Sequence, residues 1–314
     1  MFTLPEEFSW INKLKKYEGN PIIRPHGKLA ADLIFNPAAV VHNERVGLLC
    51  RCVNFEDKPM PEADGTIKNW SVSSLVWAWS DDGINFTLDQ EPFLKPDKDS
   101  PYRGGFEDPR ICWIEDEQIW MLTYTGVHNL ENTPGLIAFS RDLVNWDFAG
   151  ESLPERAVVI TPKKINGRYY AYYGNSSLFS SWSEDLRTWH TENKPVLSPC
   201  AGSFDDMLCE AAVQPMISND GILVLYNGAK HIKENPMYSY GYEYSVGWAL
   251  FDKDDPEKLI ARCDKPFLVP DCPVDYYGLS TYTVFSNGLV KFNGRHFLYY
   301  GSSDTRIGVA IEEV

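Results

Sequence analysis

The chain of 314 residues carries a formal net charge of −15, and its only dense basic run spans Lys13 to Lys16, which argues against nucleic acid or anionic membranes as partners. Hydrophobic residues make up 44% and aromatic ones 14%, so a large core is available and flat side chains can stack on sheets and on sugar rings alike. The seven cysteines are scattered without C-x-x-C spacing, which fits reduced packing residues better than a disulfide framework or a zinc site.

In chain order, Met1 to Phe8 lacks a basic region followed by an apolar one, so neither a signal peptide nor a membrane span is expected, and a cytoplasmic location is. Five segments then repeat one plan: an apolar strand, a turn rich in Asn, Asp or Gly, and a second strand that ends on small polar residues. They run from Asn36 to Arg51, Asp108 to Thr125, Ile160 to Tyr173, Gln214 to Asn227 and Gly288 to Gly301. Asn166-Gly167 and Asn293-Gly294, each flanked by apolar runs, are strong hairpin signals at equivalent places. A second phrase follows the hairpins, a strand, a polar turn and an outer strand opened by an aromatic, at Ala78–Phe86, Ala138–Trp146 and Ser181–Trp189. A diverged version starts at Gly247, and Ile307–Ile311 supplies only its strand. Hairpin, strand and outer strand make four strands per unit. The expected fold is all-β, a single five-bladed β-propeller domain over 1–314 with four-stranded blades, the terminal segments helping to close the ring.

In such a fold the inner strand of each blade starts at one mouth of a central channel. The repeat alignment puts Asn36, Asp108, Thr161, Gln214 and the Ser280–Thr283 region there, as a ring of polar side chains. The insertions Phe55–Asn69, His128–Pro134 and Lys230–Glu243 would rise around that mouth as substrate walls. One ring member sits in an unusual stretch, Arg103-Gly104-Gly105-Phe106-Glu107-Asp108-Pro109-Arg110-Ile111, which packs two carboxylates and two guanidiniums at the start of a β-prone run. The glycines allow close backbone approach, and Pro109 suits the first residues of a strand and not its middle. A carboxylate at this point can act as an acid or grip a sugar hydroxyl. An isolated copy would read as a salt-bridged turn.

Several further motifs occur in one order: Phe35-Asn36-Pro37-Ala38, Leu49-Cys50-Arg51, Thr123-Tyr124-Thr125, Leu225-Tyr226-Asn227-Gly228 and Tyr299-Tyr300-Gly301 with Asp304. Together with Phe106–Ile111 they make the chain resemble glycoside hydrolase family 130, the β-mannoside phosphorylases and mannosidases, over nearly its whole length. The resemblance implies a five-bladed propeller, an inverting reaction on β-linked manno-oligosaccharides or mannosyl disaccharides, and Asp108 as general acid, delivering its proton directly or through a mannose hydroxyl. Glu107 and aromatic walls would raise the pKa of Asp108, whereas Arg103 and Arg110 would lower it. Asn36, Arg51, Asn54, Glu107, Arg110, Tyr124, Asn175, Asn227 and Asp304 are expected around the sugar, with Arg110 alternatively a structural partner of Glu107.

An inverting enzyme needs either water activated by a base or phosphate held by cations. Where the family phosphorylases have His-Arg and Tyr-His-Gly, this chain reads Tyr173-Gly174-Asn175 and Tyr226-Asn227-Gly228, whereas Glu210 resembles the base of the mannosidase branch. A second glutamate of that branch is Asn175 here. Hydrolysis with Glu210 as base is the leading expectation. Phosphorolysis, with inorganic phosphate as co-substrate on Arg51, Arg156, Lys163, Lys230 and His231, is the alternative, and a non-catalytic sugar-binding propeller is a third. No cofactor is expected and no metal: Asp81-Asp82, Asp205-Asp206 and Asp252–Asp255 lack calcium-loop spacing and fit turns, and His26, His42, His190 and His296 lack ligand spacing. Whether the protein forms a homo-oligomer stays open.

Overall fold

In the computed structural model, residues 4–25, 32–54, 72–97, 99–129, 131–232 and 241–314 are described. The proposed wall Phe55–Asn69, His26 and the middle of the Lys230–Glu243 insertion lie outside these residues. Among the described residues the chain is all-β apart from a 3₁₀ segment, Glu6–Lys13, and one helical turn, Pro273–Tyr276. Among the described residues no helix is long and apolar enough to cross a membrane.

The strands fall into five consecutive antiparallel groups. Leu33–His42, Arg45–Asn54, Val72–Ser80 and Thr87–Leu88 form the first, and Gly105–Ile114, Ile119–Val127, Gly135–Ser140 and Trp146–Leu153 the second. One parallel pairing, Ser73 with Gly105, joins these two into a single eight-stranded sheet. Val159–Ile160, Tyr169–Tyr173, Leu178–Ser183 and His190–Leu197 form the third. In the fourth, Leu208–Ala211 and Met216–Ile217 both pair with Ile222–His231, followed by Tyr242–Phe251 and Leu259–Arg262. The fifth has Val284–Phe292, Arg295–Ser302 and Arg306–Glu312, and its outermost strand is Leu14–Lys16 from the other end of the chain, with Leu14 opposite Glu312.

Turn chemistry sets these groups. Asn166 and Asn293 take positive φ (50° and 49°) ahead of Gly167 and Gly294, as two-residue hairpins require. The recurring Ser-x-Asp turns are built identically. Ser80 Oγ accepts from the Gly83 N–H at 2.9 Å, and Asp82 Oδ1 accepts from the Ile84 and Asn85 N–H groups at 2.8 and 2.7 Å. Ser140/Asp142 and Ser183/Asp185 repeat the pattern. These carboxylates are occupied by backbone, and Asp252 likewise accepts from the Asp254 N–H. Apolar strand faces pack between neighbouring groups, with Tyr172, Tyr226, Tyr299 and Tyr300 fully buried, and Cys50 and Cys52 share one core cluster. Phe8 and Ile11 of the 3₁₀ segment pack on the core shared by the third, fourth and fifth groups.

The expected ring needs correction at two positions. Gln214 lies at the far ends of the inner strands, lining a separate cavity of about 360 Å³ with Trp113, Pro162 and Lys163. The inner strand of the fourth group begins earlier, at Leu208, so Gln214-Pro215 marks its end and not its start. Thr161 follows Val159–Ile160 and is fully buried, and the residue of the third group that reaches the Asp108 mouth is Arg156.

Candidate active site

The inner strands of the first two groups bend at the same point. Ladder register breaks between Phe35 and Ala38 and again between Glu107 and Arg110, at Asn36-Pro37 and Asp108-Pro109. Proline cannot donate to the ladder, and Asn and Asp are the non-glycine residues that best tolerate the left-handed region. Asn36 and Asp108 sit there, with φ of 45° and 49°. Both side chains are thereby released from the strand's alternation and meet: Asn36 Nδ2 donates to Asp108 Oδ1 at 2.9 Å. Gly105 starts the second strand at φ 85°, and a Cβ there would lie 2.0 Å from the Ser73 carbonyl oxygen, so only glycine fits.

Three arginines surround this pair of bulges. Arg51 Nη1 donates to Asp108 Oδ1 at 3.1 Å and its Nη2 to Glu107 Oε1 at 2.5 Å. Arg156 Nη2 donates to Asp108 Oδ2 at 2.6 Å and to Glu107 Oε2 at 2.9 Å. Burial pushes the Asp108 carboxyl up, but Arg51, Arg156, Arg110 and the Asn36 amide outweigh it and hold the group well below the usual carboxylate range. Arg110 is a staple. Its Nε donates to the carbonyls of Ala211 and Ala212 at 3.1 and 3.0 Å, its Nη2 to Ala211 O at 2.6 Å, and its Nη1 to Asp108 O at 2.9 Å. It ties the Asp108 backbone to the strand that carries Glu210, in place of the expected sugar contact or pairing with Glu107.

Glu210 differs from Asp108 in having no hydrogen-bond partner for its Oε1 among the described residues. Its Oε1 is buried without a hydrogen bond, 3.8 Å from Arg110 Nη2 and 3.8 Å from Arg156 Nε, which is itself unpartnered. Burial raises its pKa; Arg156 and Arg110 oppose, Asp108 and Glu107 add, and the net value is about 7. Asp304, at φ 48°, is raised to about 6 by burial against the pull of Arg51. One guanidinium, Arg156, contacts both Asp108 and Glu210 and so ties the two carboxylates to one cavity.

These groups line a cavity of about 480 Å³, a size typical of small-ligand sites, with Asn36, Arg51, Glu107, Asp108, Arg156, Asn175, Glu210 and Asp304 on its wall. Val127 and Thr133, at the edges of the second expected insertion, also face it. Sequence reasoning missed Tyr244 and Phe285, which line it too; the period-two alternation along Tyr242–Phe251 was the available signal for Tyr244. Other expected residues lie elsewhere. Tyr124 is buried in the core, edge-on to Phe106 with centroids 5.6 Å apart. Asn227 spends its amide on the Ser286 backbone, donating to O at 3.1 Å and accepting from N–H at 2.8 Å, a link between the fourth and fifth groups. Lys163 lines the far cavity, Lys230 pairs with Glu243 at 2.7 Å, and His231 is exposed against Tyr242. None of these five lines the cavity, because strand position and register, which the linear motif does not carry, decide which way each faces. Asn54 ends its strand half-buried and is not on the cavity wall.

Among the described residues one group, Asp271, Cys272 and Asp275, has metal-ligand character, but the Lys16 ammonium fills it, 2.6 Å from Asp271 and 2.5 Å from Asp275.

A polar cavity with four carboxylates and two accessible guanidiniums, two of the carboxylates pushed in opposite directions by their surroundings, is a site for acid–base chemistry on a neutral, hydroxyl-rich ligand. Its class is that of carbohydrate-cleaving enzymes. The glycoside hydrolase family 130 model, described as beta-1,4-mannooligosaccharide phosphorylase, matches residues 6–314, and the chain belongs to that family. It is 30% identical to a 1,2-beta-oligomannan phosphorylase of Thermoanaerobacter sp. (strain X514), over 96% of this chain and 98% of that protein. The beta-1,2-mannobiose phosphorylase of Listeria innocua, solved with beta-1,2-mannobiose, superposes with a TM-score of 0.80 at 26% identity, covering 95% of this chain and 96% of that one. A further solved structure superposes at 0.85 with 29% identity, over 98% and 95% of the two chains. It was reported under the finding that the family of mannoside phosphorylases contains glycoside hydrolases that target beta-1,2 mannosidic linkages in Candida mannan. The chain is therefore a glycoside-processing enzyme, from a family whose described members process β-mannosides.

Proposed function

We propose that residues 1–314 form one five-bladed propeller, each strand group a blade, and that the enzyme hydrolyses β-mannosides with inversion. The observation that carries this reading is Glu210: a buried carboxylate with an unpartnered oxygen in the catalytic cavity, poised at about 7, where a general base is most effective. Glu210 Oε1 and Arg156 Nε are both enclosed and lack hydrogen-bond partners among the described residues. Asp108 is the proton donor in this scheme. In the ligand-free site its ion pairs hold it ionised, so the substrate must first loosen them and the carboxylate must take up a proton from solvent before it can donate one. A mannoside hydroxyl that inserts between the carboxylate and Arg51 or Arg156 does so, while both arginines keep Glu107 as partner.

The charge of the cavity supports water over phosphate. Both arginines are already committed to Glu107 and Asp108, and an incoming phosphate dianion would meet Glu210 and Asp304 as well. Phosphorolysis is the second reading, favoured by the curated relatives, which are named as phosphorylases. In that case Arg51 and Arg156 would leave the carboxylates to hold phosphate. Incubation with β-1,2- and β-1,4-mannobiose, with and without phosphate, separates the two. Phosphate-independent release of mannose is expected, and phosphate-dependent mannose 1-phosphate would replace hydrolysis by phosphorolysis.

A further inference from the structure

Beside the cavity, the loop between the helical turn Pro273–Tyr276 and the strand Val284–Phe292 presents two large side chains to solvent. Tyr277 and Leu279 are each 54% exposed. The loop that carries them is rigidly placed. A Cβ on Gly278 would lie 2.1 Å from the Ser303 carbonyl oxygen, so the backbone there is pressed onto the Ser303-Asp304-Thr305 turn. The Leu279 N–H donates to Thr305 Oγ1 at 3.1 Å, the Ser280 N–H to Ser303 O at 3.3 Å, and Arg306 Nη2 to Tyr277 O at 3.1 Å. The turn that receives this loop carries Asp304 into the cavity, and Ser280, one residue past Leu279, lines the same cavity. The exposed pair therefore lies on the loop segment that adjoins Ser280 of the cavity wall, its backbone fixed by these contacts and the Tyr277 ring set edge-on to Tyr276 at 6.3 Å.

A half-exposed tyrosine at the rim of a sugar site offers a flat apolar face with a polar tip, the surface on which a pyranose ring stacks. The cavity itself is about 480 Å³. We propose that Tyr277, with Leu279 beside it, forms an outer subsite that takes a mannosyl unit beyond those held in the cavity, so that the enzyme selects oligosaccharides of three or more sugars over mannobiose. This rests on the β-mannoside reading above.

The test compares wild type, Tyr277→Ala and Tyr277→Phe on mannobiose, mannotriose and mannotetraose, measuring kcat and KM by product release and binding by calorimetry. For Tyr277→Ala the loss of kcat/KM on the longer chains is expected to exceed the loss on mannobiose by about tenfold, mostly in KM, and Tyr277→Phe restores it because the stacking face is kept. Equal losses on all three substrates, or none, overturn the subsite. Light scattering supplies another outcome against it: if wild type self-associates and Tyr277→Ala does not, the patch is an interface between copies of this chain. Should no β-mannoside be turned over at all, the functional reading fails. Calorimetry still decides the subsite then, since binding that strengthens with chain length in wild type and not in Tyr277→Ala supports it, and binding without that difference overturns it.

Discussion

The inner strands Leu33–His42 and Gly105–Ile114 are the same device used twice. Both are ten residues long, both break register at a residue-proline pair, and both hold that residue at a φ near 45–50°. They differ in what the bend presents. The first offers an amide preceded by the buried Phe35, the second a carboxylate preceded by Glu107, and the two meet in one hydrogen bond. The backbone bend thus belongs to the repeat, whereas the chemistry belongs to the side chain placed on it. Left-handed strain of this kind concentrates where a side chain must be aimed and not merely packed.

Making the two bends alike should have the largest effect. Asp108→Asn keeps the side-chain shape but gives up one of the acceptors used by Asn36, Arg51 and Arg156 and removes the acid, so turnover is expected to fall by about 10³-fold or more with binding retained, as read by kcat and by calorimetry. Glu210→Gln asks whether Asp108 acts with a partner, and a fall of about 10²–10³-fold in kcat is expected. As a base Glu210 must be ionised, so wild-type activity should drop as pH falls through about 7. Its effect on stability has the opposite sign. A carboxyl raised from 4.5 to about 7 by folding favours the folded state while protonated, and that contribution is lost as pH rises through this window. Melting temperature measured at pH 5 and pH 8 should therefore decline less in Glu210→Gln than in wild type.

Asn36→Asp makes the bends alike in the other direction. Two carboxylates in hydrogen-bond contact cannot both ionise easily, so one takes up a proton at a higher pH than Asp108 does beside the amide. A loss of about tenfold in kcat/KM and a shifted acidic limb of the pH profile are expected. The smallest effects belong to the prolines. Pro37→Ala and Pro109→Ala act mainly through the unfolded chain and should each cost about 0.4–1 kcal/mol in denaturant melts, with similar values for the two if the bend is a shared property of the repeat.

Local chemistry was enough for much of this. Asn-Gly hairpins, Ser-x-Asp turns and alternating apolar strands specify structure through contacts a few residues apart, so the hairpins and the turn role of Asp82 and Asp252 could be read directly from the sequence, whereas Asp205, expected in a turn, has its carboxylate buried against Arg262 and Tyr226. The proline-marked bulge at Asp108 was legible for the same reason, because proline and the residue before it act on their own backbone. The mouth of the fourth group was not legible from the repeat. Gln214-Pro215 carries the same proline mark as Asn36-Pro37 but at the other end of its strand, and only the pairing of Leu208–Ala211 with Ala229 to Tyr226 puts Glu210 opposite Asn227 and into the cavity. Arg110 and Arg156 show the same limit. Adjacency in sequence suggests Glu107 for Arg110, whereas the folded chain gives Arg110 to the Ala211 and Ala212 carbonyls and brings Arg156, nearly fifty residues on, to Glu107 and Asp108. Which charges meet depends on how separate strand groups pack around one cavity, and the low or raised pKa of each carboxylate follows from that meeting and from burial, quantities that exist only once the chain has closed.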